Sequence, residues 1–148
     1  MSSQFQALKE MKRLTSPFPE STVVKDWKSQ GKRVIGYVGP GVPEEMIHAA
    51  RMLPLRVSCD NEPVPTDKVD AYLMPNVSTF ARCVFQTVLD GKWDFLDGVV
   101  TSVTNEGSRR MHDNWLAYKQ RPYMDAIFLP LKQIEHAVDM YLADLEDW

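Results

Sequence analysis

Two adjacent carboxylates, Glu44 and Glu45, follow the glycine-rich turn Gly39-Pro-Gly41-Val-Pro43. A carboxylate beside such a turn is a candidate general base once water is excluded from it. A structural reading competes, because first-turn acids suit the positive end of a helix dipole and Pro43 has no amide hydrogen to lose there. The turn is no dinucleotide fingerprint. Glu44 stands where a third glycine would let helix and strand pack closely, and two acids oppose a phosphate. Further along, Arg109-Arg110 could reach a phosphate, yet a solvated helix face shared with Asp113 explains the pair equally well.

Metal and nucleophile chemistry is sparse. Cys59 and Cys83 read as small buried apolar residues, and two cysteines are too few for a disulfide framework. His48, His112 and His136 fall in expected helices with no HxH or HxxxH pairing, so no metal site is expected. A serine triad has no nucleophile elbow to stand on, since G-x-S-x-G does not occur.

The elements that would position these groups alternate. Arg33-Val-Ile-Gly-Tyr-Val38, Leu55-Arg-Val-Ser58, the run 95–102 and Asp125-Ala-Ile-Phe-Leu129 read as strands. Residues 43–50, 77–89, 105–118 and 133–145 read as helices, with Gly91 closing the second and Asn105 capping the third. Strands separated by helical segments imply βαβ units. The expected fold is therefore an α/β three-layer sandwich around a four-stranded parallel sheet, Rossmann- or flavodoxin-like, formed by residues 31–148. Residues 1–30 read as a helical N-terminal arm and linker. Phe5, Leu8 and Met11 recur at three-residue spacing, and 15–22 carries Ser-Pro and Phe-Pro breaks. The arm is expected on a surface or on a partner. Ligands of open α/β sheets bind beyond the carboxyl ends of the strands, which here means the loops at 39–42, 59–76, 102–105 and 130–133.

A length of 148 residues with 44% hydrophobic and 25% charged residues suits one globular domain. A net charge of −3 with scattered lysines and arginines gives nucleic acid no footprint. No apolar run approaches the roughly 20 residues of a membrane span, and the N-terminus lacks a secretory apolar core. A soluble, cytoplasmic chain with no membrane or nucleic-acid partner is expected.

Gly91-Lys-Trp-Asp-Phe-Leu-Asp-Gly-Val-Val100 resembles the Gly-Lys-Tyr-Asp-Phe-Leu-Asp-Gly-Val-Val motif of 2-hydroxyacyl-CoA dehydratase and benzoyl-CoA reductase subunits. Val42-Pro-Glu-Glu-Met-Ile-His-Ala-Ala-Arg-Met-Leu-Pro54 is similar to their Val-Pro-Glu-Glu-x-Ile-x-Ala-Ala-Gly-x-Leu-Pro, with Arg51 replacing a glycine and placing a long cation near a helix end. The similarity runs from about Lys32 to the C-terminus. It implies CoA-thioester substrates and a 4Fe–4S cluster for radical dehydration or ring reduction. Two cluster cysteines would lie on this part of the fold and a third on a second α/β domain, which would begin where this chain stops. The two cysteine positions fall on Ser78, in Ser-Thr-Phe-Ala-Arg-Cys83, and on Asn105, in Asn-Glu-Gly-Ser-Arg-Arg110. Neither residue replaces a thiolate on soft iron, so no cluster and no other cofactor is expected.

What the resemblance implies is a non-catalytic, cluster-free small subunit, a pseudo-enzyme paired with a larger chain in a CoA-thioester-processing complex. Ser78, Asn105 and Arg109 remain as candidate substrate contacts. The alternative is a small cluster-free enzyme or binding module acting on an acyl-CoA through the rim acids Glu44 and Glu45.

Overall fold

The apolar runs pair into one parallel sheet. The computed structural model describes residues 3–14, 21–59, 65–130, 132 and 134–148. Its strands are β1 (Val34–Val38), β2 (Leu53–Arg56), β3 (Gly98–Val103) and β4 (Tyr123–Phe128), in the order β2-β1-β3-β4. Every ladder is parallel, with Ile35 opposite Gly98 and Gly98 opposite Tyr123. This is the expected fold class, with the flavodoxin-type strand order. A sheet covered on both faces needs strands that are apolar on both, and β3 is buried from Gly98 to Ser102.

Among the described residues six α-helices accompany the sheet: α1 (Ser3–Leu14), α2 (Thr22–Ser29), α3 (Glu44–Ala49), α4 (Thr79–Leu89), α5 (Glu106–Tyr118) and α6 (Glu135–Glu146). Alternate strand residues point to opposite faces. Val34, Val38 and Val99 meet Phe85 and Val88 of α4, Met111 and Trp115 of α5, and Val24 of α2. On the other face Ile35, Val100 and Ile127 meet Ile47 of α3, with Tyr141 and Leu145 of α6 packed alongside. The chain thus leaves β1 through α3 on one face and returns to β3 through α4 on the other. The switch between these directions lies at the carboxyl ends of β1 and β3.

Several boundaries differ from the expected ones for identifiable reasons. β2 begins at Leu53 and contains Pro54, which the sheet tolerates because β2 is an edge strand. β3 begins at Gly98, because residues 91–95 form turns that fold Trp93 into the core, where its Nε1 donates to Thr87 Oγ1 at 2.8 Å. The loop at 59–76 contains a 3-10 turn, Val69–Ala71, with Val69 fully buried; residues 60–64, including Pro63, lie outside the described residues.

The region read as an arm holds a helix that periodicity did not announce. Val24 of α2 is buried, Trp27 packs on the core, and the Lys28 ammonium pairs with Asp97 at 3.1 Å. Two apolar contacts in eight residues are too few to register as a pattern. The linker expected at 15–22 lies outside the described residues except for Ser21 and Thr22.

Candidate functional site

Ser78 precedes α4 and Asn105 precedes α5, so both stand at helix N-termini on the carboxyl side of the sheet. The first amides of a helix lack intrahelical acceptors, and a side-chain oxygen at the cap supplies one. Ser78 Oγ accepts from the Ala81 amide at 3.3 Å. Asn105 Oδ1 accepts from the Ser108 amide at 3.0 Å, while Ser108 Oγ accepts from the Asn105 amide at 3.2 Å, completing a capping box.

The two caps converge on Gly107. A Cβ at that glycine would stand 3.1 Å from Asn105 Oδ1 and 3.4 Å from Ser78 Oγ. The two oxygens therefore lie within two van der Waals contacts of each other. Arg82, one turn into α4, fastens the approach to Ser78. It is 9% exposed, donates to the carbonyls of Leu73 at 2.7 Å and Met74 at 3.1 Å, and pairs with Asp70. A guanidinium withdrawn from water needs this many acceptors.

Glu44 and Glu45 are not part of this convergence. They form the first turn of α3, whose packing face is the opposite side of the sheet. Glu44 Oε2 accepts from the Tyr37 hydroxyl at 2.6 Å. Partial burial and the adjacent Glu44 carboxylate push that hydroxyl up to about 12, so it stays protonated as a donor. Arg109 is exposed on α5, and Arg110 reaches back to Glu106 at 2.7 Å rather than forward to Asp113. Cys59 and Cys83, expected as buried residues, are each only partly buried. The expected rim loop at 130–133 includes Leu131 and Gln133, which lie outside the described residues.

Among the buried polar side chains that the sequence reading did not single out are Thr101 and Ser102, while His112 was read only as a residue of an expected helix. Thr101 Oγ1 and Ser102 Oγ, near the carboxyl end of β3, have no hydrogen-bond partner among the described residues. Their only signal is a Thr-Ser pair inside a valine run. His112 of α5 is 8% exposed, its Nδ1 has no hydrogen-bond partner among the described residues, and burial holds its imidazole below the ordinary value against the opposing pull of Asp113 and Asp125. A cavity of about 690 Å³ lies at the other end of the sheet, where Arg33, Asp97 and Tyr123 mark the amino ends of the strands. Its position is opposite to the edge where open α/β sheets bind ligands.

The family described as 2-hydroxyglutaryl-CoA dehydratase, D-component, matches residues 41–148. The chain belongs to this dehydratase family. It is 35% identical over 130 residues to the beta subunit of the (R)-2-hydroxyglutaryl-CoA dehydratase of Acidaminococcus fermentans, a match covering 86% of this chain and 33% of that protein. Over 96 residues it is 28% identical to a benzoyl-CoA reductase subunit of Thauera aromatica, covering 64% of this chain and 25% of that one. The chain therefore spans a third or less of the length of these relatives, both of which are named as subunits.

Within the dehydratase frame, the motif at 91–100 supplies contacts to the fold. Trp93 and Leu96 are core residues, and Asp97 Oδ2 accepts from the Val34 amide at 2.8 Å, at the amino end of β1. The donors at the convergence of Ser78 and Asn105 are a hydroxyl and a carboxamide, both committed to helix amides. Iron–sulfur iron takes thiolates, so these residues do not fit a 4Fe–4S cluster. Among the described residues no three His, Cys, Asp or Glu side chains gather closely enough to hold a metal ion.

Proposed function

We propose that this dehydratase-family chain is a non-catalytic, cluster-free subunit that works beside a larger chain in a complex processing CoA thioesters. One observation carries the reading: the two converging positions that resemble cluster ligands hold oxygen donors, each already serving as a helix cap. Substitution into good caps keeps the helix starts in place while removing the sulfur. The coherent core around them supports a maintained scaffold rather than general decay. Both relatives are named as subunits, which favours a role inside an assembly. Ser78, Asn105 and Arg109 are the candidate contacts for a thioester, and cytoplasm is the compartment proposed.

Purification of the tagged full chain from its host, with iron and sulfide analysis of the same sample, tests this. A larger acyl-CoA-processing chain in fixed ratio, with iron absent from the small chain, is the expected result. Stoichiometric iron and sulfide on the small chain alone would overturn the proposal.

The alternative of a small enzyme using Glu44 and Glu45 has less support. The Tyr37 hydroxyl occupies a Glu44 oxygen, and neither acid belongs to the Ser78–Asn105 convergence. Acyl-CoA turnover lost in Glu44→Gln or Glu45→Gln would restore it.

A further inference from the structure

The cavity at the amino ends of the strands, about 690 Å³, falls within the range of roughly 300–1,000 Å³ usual for small-molecule sites. Its inner lining is apolar. Ile35 of β1 and Ile47 of α3 are buried there, while Met46 lines it from α3 and Met52 from the turn before β2. Trp148, beyond α6, closes another side and packs on the same cluster as the two isoleucines. Methionine side chains adapt their shape to an apolar guest.

Arg33, Asp97 and Tyr123 also border this space, and two of the three are already engaged. Asp97 Oδ1 accepts from the Lys28 ammonium at 3.2 Å, and Oδ2 from the Val34 amide at 2.8 Å. The Tyr123 hydroxyl donates to Asp125 Oδ2 at 3.0 Å. The Arg33 guanidinium is exposed and makes no hydrogen bond or ion pair among the described residues. A free guanidinium at the edge of an apolar cavity suits a carboxylate, which it holds through two parallel N–H···O bonds. One cation matches a single negative charge. A phosphate dianion would meet the Asp97 carboxylate as well, with only one arginine to offset it.

We propose that this cavity binds a monocarboxylate with an apolar tail, its carboxylate on Arg33 and its tail against Ile35 and Ile47. Ser78 and Asn105 lie at the opposite edge of the sheet, so this is an accessory site and not the rim described above. The inference stands apart from the functional reading, because it uses none of the rim residues.

Calorimetric titration of the full chain with octanoate, and with 1-octanol as its uncharged match, tests this. Octanoate is expected to bind at one site and more tightly than octanol. Arg33→Gln should weaken octanoate about tenfold or more while leaving octanol within about twofold. Ala50 is exposed and lines the cavity at the end of α3, so Ala50→Trp should fill the mouth and abolish binding of both. Circular dichroism would verify that each variant is folded. Absence of binding at millimolar octanoate, octanol bound as tightly as octanoate, or octanoate affinity unchanged in Arg33→Gln would each overturn the proposal. Binding that survives Ala50→Trp would do the same, by placing the ligand elsewhere on the surface.

Discussion

Arg51 and Gly91 occupy the same place in the same helix-ending motif. After α4, the Gly91 amide donates to the Val88 carbonyl at 3.0 Å and the Lys92 amide to the Thr87 carbonyl at 3.1 Å. After α3, the Arg51 amide donates to His48 at 2.9 Å and the Met52 amide to Ile47 at 3.1 Å. This is the paired-bond C-terminal motif whose turning residue is left-handed, and φ is +78° at Gly91 and +61° at Arg51. Glycine adopts that conformation freely, whereas the Cβ of arginine crowds a carbonyl oxygen. The resemblance at 42–54 places a glycine at position 51. Its replacement thus puts backbone strain at the turn from α3 into β2.

Arg51→Gly is accordingly expected to stabilise the fold by about 1 kcal/mol, a rise of roughly 3 °C in Tm for a chain of this size. Arg51→Ala should recover little, since alanine keeps a Cβ. Urea denaturation of the three proteins measures it. An equal gain for alanine and glycine would assign the effect to the arginine side chain instead of the backbone.

The caps yield a second prediction. Ser78→Ala and Asn105→Ala should each lower stability by about 0.5–2 kcal/mol, with Asn105 the more costly because its capping box ties down two amides. Asn105→Asp should keep the cap and suit the helix dipole, leaving stability near wild type. Thermal melts of the single variants provide the test, and a neutral Asn105→Ala would mean that the box contributes nothing in solution.

Much of the architecture was legible because burial on two faces leaves a strong mark. The valine runs of β1 and β3 and the caps at Gly91 and Asn105 are local signals, and the structure has them where the sequence put them. β2 shifted by two residues because Pro54 argues against a strand unless the strand is known to be an edge. α2 stayed hidden because its stability comes from Val24 and Trp27 meeting the core, a tertiary effect that short-range spacing does not encode. At the candidate site, the pairing of Ser78 with Asn105 came from resemblance. The buried hydroxyls of Thr101 and Ser102 were invisible, since burial of a polar residue is set by elements distant in sequence.

A short polar chain inside the core helps to anchor the turn that carries Trp93. Trp93 Nε1 donates to Thr87 Oγ1 at 2.8 Å, and that hydroxyl donates to the Val84 carbonyl at 2.7 Å. Thr87→Val keeps the shape and strands a buried indole N–H, at an expected cost of about 1–3 kcal/mol. Adding Trp93→Phe removes the stranded donor. The double variant should therefore lose less than the sum of the two single changes, and strict additivity in chemical denaturation would show that the pair is not coupled.

His112 predicts a pH dependence whose sign is fixed by burial. Desolvation lowers its pKa from the ordinary 6.5, while Asp113 beside it on α5 and Asp125 on β4 pull the other way and lose. The unfolded chain therefore takes up a proton near pH 6.5 while the folded chain does not. Stability is full above that pH and falls as the pH drops through 6.5 toward the lower folded value. His112→Leu removes the titrating group and should flatten urea midpoints between pH 7.5 and roughly 5.5, a window above the ordinary carboxylate range. Below it both proteins weaken together as Asp and Glu side chains protonate. Parallel curves across the whole range would mean that the imidazole is solvated in the native state, and Nδ1 would then have water in place of the missing partner.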